Sequence, residues 1–271
     1  MEPLEALLLV LVGAAIGAYA SAIGSGGGFI IAPLLLLRHE TSSPPEITAA
    51  SLSVVLILSS ASSVLYWRAG RLDVRLALTL AAAAIPAALL GGALTALLPR
   101  QVFALGIAAL LLVLGVRMIW RPLVMLAEPR PGGWSREFRD ASGATYLYRV
   151  PLLEALGATA GASLLASLSG IGGGPFFMPL ATQVMRMPHA AAVAVAQVVF
   201  VGLAASTVML QLAAGHAGEP LQDVPWLGAG VLLGNPGGLW LNRRLGEGPL
   251  TRALAVGLLV ISIRTAWGAL R

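Results

Sequence analysis

The chain has 271 residues, 58% of them hydrophobic and 11% charged, against about 25% charged in a soluble domain. With a mean hydropathy of +0.87, that balance excludes an ordinary water-soluble fold and predicts an all-α polytopic membrane protein. The net charge is +5, all 17 basic residues are arginine, and there is no cysteine, which excludes Schiff-base chemistry, disulfides and thiolate ligands.

Ten apolar segments follow one another at 4–23, 28–38, 47–67, 74–98, 101–120, 152–168, 174–187, 190–214, 224–241 and 249–268. The first resembles a signal peptide in its small residues Ala18 to Ala22. Glu2 and Glu5 stand where a leader carries basic residues, so it reads as a retained membrane helix. Between the fifth and sixth segments lies a stretch rich in Arg, Pro and Gly, with Trp134, Arg136, Glu137, Arg139 and Asp140. The expected organisation is a first transmembrane repeat at 1–121, a solvated polar linker at 122–150 and a second repeat at 151–271.

The repeat rests on one phrase written twice. Ile23-Gly24-Ser25-Gly26-Gly27-Gly28-Phe29 leads to Pro33, and Ser169-Gly170-Ile171-Gly172-Gly173-Gly174-Pro175 leads to Pro179, with an offset of 146 residues. At the same offset Ser51 falls opposite Gln197, and Gly91-Gly92 opposite Gly237-Gly238; Gly70 aligns with Gly215 after a one-residue drift. Duplication of a five-helix unit follows.

Glycine clusters break helices, and broken helices in a bilayer are tolerated where the freed backbone is buried in protein or lines a cavity. Two breaks at equivalent positions of two halves mark the binding site of a transporter. Bare helix packing is the competing explanation for each glycine run.

If all ten segments cross, one face receives Arg68, Arg71, Arg75, Arg117, Arg121, the linker arginines, Arg186, Arg243, Arg244 and Arg252. The other receives Glu2, Glu5, Glu40, Glu46 and Glu219, with Arg38, Arg100, Arg264 and Arg271. This positive-inside split assigns the charge to topology and lipid headgroups, and no nucleic-acid partner is expected. Five crossings per half make the repeats inverted; re-entrant 28–38 and 174–187 would make them parallel.

No carboxylate sits mid-segment, and His39, His189 and His216 fall at segment ends, which disfavours a cation pathway. No metal-ligand spacing and no nucleotide-binding loop appears, so no enzyme activity, metal or cofactor is expected. What remains suits an anion. The helices opening after each glycine run present free N–H groups and a positive dipole end. The candidate substrate-binding residues are Gly24, Ser25, Gly26, Gly27, Gly28, Ser51, Gly170, Gly172, Gly173, Gly174 and Gln197. Ser21, Ser53, Ser167, Ser169 and Gln183 are further polar candidates, each equally explained by an interhelical hydrogen bond. Asn235-Pro236 is a candidate hinge or plain kink, and Arg117 and Arg264 are expected to snorkel.

The two Gly-rich phrases with Pro33 and Pro179, the Ala49-Ala50-Ser51-Leu52 segment and the Arg68-Ala69-Gly70-Arg71-Leu72-Asp73 turn resemble the sulfite exporter TauE/SafE family over nearly the whole chain. Gln197 departs from the small hydroxyl residue that the family often places there. The resemblance implies secondary transport of sulfur-containing anions such as sulfite or organosulfonates; with the two breaks, the expectation is a multi-pass permease of the bacterial inner membrane working by alternating access. The expected partners are a small anion and the lipid bilayer, with homo-oligomerisation open. A channel for small anionic or neutral solutes, and a non-transporting scaffold, are the alternatives.

Overall fold

A computed structural model describes residues 3–120, 133–139, 145–244 and 247–269. Ten α-helices answer the ten apolar segments among these residues. They are α1 (Pro3–Ile23), α2 (Gly28–Arg38), α3 (Pro44–Arg68), α4 (Val74–Thr95), α5 (Arg100–Trp120), α6 (Leu152–Ser169), α7 (Gly174–Pro179), α8 (His189–Ala213), α9 (Val224–Arg244) and α10 (Glu247–Ala269). A π turn, Leu180–Val184, extends α7, and a 3₁₀ turn, Glu219–Asp223, precedes α9. By length and composition, α1, α3, α4, α6 and the Ala191–Ala213 part of α8 can each cross a membrane.

Local chemistry sets the starts. Ser43 caps α3, with Pro44 in its first turn and the Ser43 N–H donating to Glu46 Oε2 at 2.8 Å. Asp73 caps α4 by accepting from the Leu76 N–H at 3.2 Å.

Small residues then bring helices together across the two halves. α1 lies along α9 in parallel: Gly13 and Gly17 face Leu227 and Val231, while Gly230, Gly234 and Gly238 face the backbone of Val10, Ala14 and Ala18. A β-carbon at any of these glycines would strike backbone, which is the four-residue small-residue spacing that lets membrane helices touch. α4 packs along α6, where Gly91 abuts the Leu164 carbonyl.

Polar residues lock each trio. Asn235 Oδ1 on α9 accepts from Ser21 on α1 at 2.6 Å and from Ser62 on α3 at 3.2 Å. On the other side Ser167 of α6 bonds Thr207 of α8 at 2.8 Å, and Thr95 of α4 donates to the Leu168 carbonyl at 3.1 Å. Ser21 and Ser167 stand 146 residues apart. Asn235-Pro236 therefore does not break α9, which runs through it.

Two ends follow from the ion pairs. Glu5 in the first turn of α1 pairs with Arg38 at 3.6 Å, and Arg38 with Asp223 at 2.9 Å, so α1 and α9 start at the Asp223 end. Arg100, just past α4, donates to the Leu36 and Ser42 carbonyls there. α4 starts from Asp73 at the opposite end, beside the approach to α6.

The linker departs from the expected solvated loop. Residues Trp134–Arg139 (β1) and Thr145–Val150 (β2) form an antiparallel hairpin, with Trp134 opposite Val150. Tyr148 and Val150 are buried in the core that contains Met178, Met185 and Met187. Tyr148 donates to Asp73 Oδ2 at 2.8 Å, and Arg136 binds both Asp73 oxygens. Alternation of aromatic and polar residues over 134–138 was present in the sequence, but the anchor, Asp73, lies far upstream.

Candidate site at the crossing of two glycine breaks

α1 ends where the N–H groups of Gly24 and Ser25 both donate to the Ala20 carbonyl, at 2.8 and 3.0 Å. Gly24, Gly26 and Gly27 then take φ of 76°, 71° and 77°, a region costly to any residue with a β-carbon. The first backbone bonds of α2 run from Ile30 and Ile31 to the Gly27 carbonyl, at 3.1 and 3.3 Å. The N–H groups of Gly28 and Phe29 are thus first-turn donors without a helical partner. The second break repeats the design. Gly170 and Gly172 have φ of 66° and 78°, and Phe176 and Phe177 donate to the Gly173 carbonyl at 3.1 and 2.7 Å.

The two breaks cross. A β-carbon at Gly28 would collide with the Ile171 carbonyl, and one at Gly174 with the backbone of Ser25. Gly28 and Gly174 are 146 residues apart, as are Ser25 and Ile171, so each break receives the other in the same way.

Each break is also backed by the long helix of the opposite half. On α3, Thr48, Ser51 and Val55 share a face. Ser51 Oγ donates to the Gly170 carbonyl at 2.8 Å, a β-carbon on Gly170 would stand 3.0 Å from Thr48 Oγ1, and one on Gly172 would stand 3.4 Å from Val55. On α8, Val193, Gln197 and Phe200 share a face. A β-carbon on Gly24 would stand 2.7 Å from Val193, and one on Gly26 3.1 Å from Phe200. Phe200 also fills the β-carbon position of Gly173, so it touches both breaks.

Three buried polar atoms here have no hydrogen-bond partner: Ser25 Oγ, Thr48 Oγ1 and Gln197 Oε1, in residues 3%, 0% and 2% exposed. A buried polar group left unsatisfied costs about 1–3 kcal/mol, so the cluster makes this crossing the candidate binding site. Ser59 and Ser63 on α3 carry further unpartnered hydroxyls, at one-turn spacing from Val55 towards Arg68. Ser21, Ser53, Ser167 and Ser169 instead bond within the fold, to Asn235, the Ala49 carbonyl, Thr207 and the Leu165 carbonyl. The Gln183 and Arg117 side chains lie outside the described residues. Sequence reading missed Thr48, although it sits one helical turn before Ser51.

Charge is kept to the ends. At the Asp223 end, Asp223 Oδ2 receives Arg38 Nε at 2.9 Å and lies 2.8 Å from His39 Nε2. At the other end, burial pushes the Asp73 carboxyl up, but hydrogen bonds from Arg136, Leu76 N–H and Tyr148, with the charge of Arg136, outweigh it and hold Asp73 below the usual carboxylate range. Burial first, and then Asp73, push the Tyr148 hydroxyl well above its ordinary value, so it stays a donor. Arg136 lies 4.5 Å from the centre of the Trp134 ring, and Arg75 5.4 Å from it.

The crossing of two glycine breaks, one from each half, is the feature by which the chain can be compared with others. The sulfite exporter TauE/SafE family model matches residues 9–265, which includes both breaks and the helices α3 and α8 that back them. The chain belongs to the TauE/SafE family. No curated protein and no solved structure matches it. TauE/SafE proteins are membrane transporters, and the apolar helices make this one a multi-pass membrane protein. Two cavities of this TauE/SafE chain, about 1280 and 620 Å³, open beside α2 and α10 around Leu37 and Arg264, and neither is lined by a motif glycine.

Proposed function

We propose that the chain is a secondary transporter of small sulfur-containing anions such as sulfite or organosulfonates, seated in the bacterial inner membrane. The observation that carries this reading is the cluster of unpartnered Ser25, Thr48 and Gln197 at the crossing of the two breaks. Neutral hydroxyl, amide and backbone donors grip an oxyanion without a fixed counter-charge, and so release it again. The site takes no cofactor.

Transport proceeds by alternating access between inverted repeats. Two observations support inversion: α1 starts at the Asp223 end while its counterpart α6 starts beside Asp73, and α1 with α9 mirrors α6 with α4. The Arg38–His39–Asp223 and Arg136–Tyr148–Asp73 clusters close opposite ends of the bundle, one for each mouth. The α3 hydroxyls Ser59 and Ser63 extend the polar line towards the Asp73 end.

The test is flux of sulfite, thiosulfate and an organosulfonate into proteoliposomes holding the purified chain. Saturable uptake that accelerates against a preloaded substrate is expected. A linear, non-saturating flux would make the chain a channel, and no flux of any sulfur oxyanion would remove the reading.

A further inference from the structure

Gln197 is an unusual lining for an anion site, because half of its amide repels anions. Any carboxamide, whichever way its two ends are oriented, offers one oxygen that accepts and one NH₂ that donates. Gln197 is 2% exposed and makes no hydrogen bond among the described residues. Its position between Val193, which meets Gly24, and Phe200, which meets Gly26, aims it at the first break. Ser25, in that break, carries the second unpartnered group. The start of α2 adds the free N–H groups of Gly28 and Phe29.

The first break therefore brings together several donors and one obligatory acceptor. Donors match the bare oxygens of an oxyanion. The amide oxygen matches nothing on a fully deprotonated oxyanion, whose lone pairs face it and cannot be relieved in a dry site. It is satisfied by a ligand hydroxyl.

We infer that Gln197 makes this site selective for an oxyanion that still carries one proton: the hydrogensulfite-type monoanion rather than the sulfite dianion. The inference rests on the transport reading above. It also lowers the cost of translocation, since a monoanion crosses a medium of low dielectric with less desolvation than a dianion. Gln197, in this role, is a specificity-determining residue, and Ser51, its counterpart at the equivalent position, is occupied by the Gly170 carbonyl.

On α1, α2, α3, α4, α6, α7 and α8 the acidic and basic residues are Glu5, Arg38, Glu46, Arg68, Arg75, Glu154 and His189, all in first or last turns, with Arg186 in the loop before α8, so none shares the helical turn of Gln197.

The experiment is initial sulfite flux into proteoliposomes from about pH 6 to 8.5, with membrane potential clamped, for the wild type and Gln197→Met. In the wild type the KM for total sulfite should rise about tenfold per pH unit once sulfite passes its second ionisation, because each unit removes nine-tenths of the protonated form. Expressed as hydrogensulfite, KM should stay flat. Gln197→Met, of similar volume without the acceptor, should flatten the rise in total sulfite. Should that variant fail to insert, sulfite-induced stabilisation of the purified wild type against heat supplies the same reading, larger at pH 6 than at pH 8 for equal total sulfite. A wild-type KM that tracks the dianion, or a Gln197→Met profile identical to wild type, overturns the inference and leaves the transport reading intact. Absence of any sulfite flux or stabilisation across the whole pH range removes the transport reading and the selectivity with it.

Discussion

Gly28 rests its α-carbon against the carbonyl of Ile171, and no side chain fits between them. The reciprocal contact, Gly174 on Ser25, means that the two breaks hold each other at a separation set by two missing methyl groups. Gly28→Ala or Gly174→Ala should therefore cost about 1–3 kcal/mol by forcing the breaks apart, and should abolish flux. Gly157 and Gly161 on α6 provide the control, since a β-carbon there meets no atom within 4 Å. Gly157→Ala and Gly161→Ala should be neutral or stabilising by up to about 1 kcal/mol. Thermal unfolding in detergent and proteoliposome flux read both sets.

Phe200 is the second fixed point of the crossing. It is fully buried, touches Gly26 and Gly173, and meets Phe177 edge-on at 5.9 Å and 84°. Phe200→Ala should destabilise by roughly 3–5 kcal/mol, the range for a large core aromatic. Gly173→Ala collides with the same ring, so shortening the ring position should relieve it. The double variant Gly173→Ala with Phe200→Leu is expected to be more stable than the sum of the single effects by about 1 kcal/mol, measured in a double-mutant cycle.

The hairpin should be acid-labile. The folded Asp73 carboxyl titrates below its unfolded value of about 3.9, so its contribution is fully present above that value and is lost as pH falls through the folded one. Neutral and mildly acidic solutions should leave the hairpin docked, and solutions below about pH 4 should loosen it. Asp73→Asn removes the charge that Arg136 and Tyr148 share, at roughly 1.5–3 kcal/mol, the range for hydrogen bonds to an ionised group. It should also make docking insensitive to acid. Fluorescence of Trp134, taken as the difference from Trp134→Phe, reports both, because Arg136 and Arg75 sit over that ring.

The contrast between what the sequence disclosed and what it withheld follows from the range of each interaction. Apolar runs and glycine breaks are local, and nine of the ten segments became α-helices within a few residues of their expected bounds; the seventh, expected over 174–187, is α-helical only to Pro179 and continues as a π turn to Val184. The site was half legible for the same reason: Gly28 and Gly174 announce themselves by repetition, whereas their contact with Ile171 and Ser25 depends on how two distant strings of residues cross. Ser21 and Ser25 look alike in sequence. One is taken by Asn235, 214 residues away, and the other is left free, a difference no local pattern carries. The hairpin was missed because Asp73, its anchor, belongs to another element entirely.

A final prediction separates a transporter from a channel, and the absence of native cysteine makes it direct. Ser25→Cys would place the sole thiol of the chain at the first break, buried and beside the crossing. The Arg136–Asp73 and Arg38–Asp223 clusters lie at opposite ends, so each can be weakened separately. In a rocking pair of repeats, opening one end favours the state in which the other is shut. In the Ser25→Cys background, Arg136→Ala should then raise modification of the introduced thiol by an impermeant reagent from the Asp73 side and lower it from the Asp223 side. Arg38→Ala should do the reverse. A bias of about 1.4 kcal/mol changes the ratio of the two rates tenfold. A sulfonate should slow both reactions; it is preferred to sulfite as the protecting anion because sulfite consumes thiol reagents. In a channel both mouths connect to the crossing at once, so weakening one cluster would raise access from its own side and leave the other unchanged. The sign of the change at the far end therefore decides the mechanism, whatever its size.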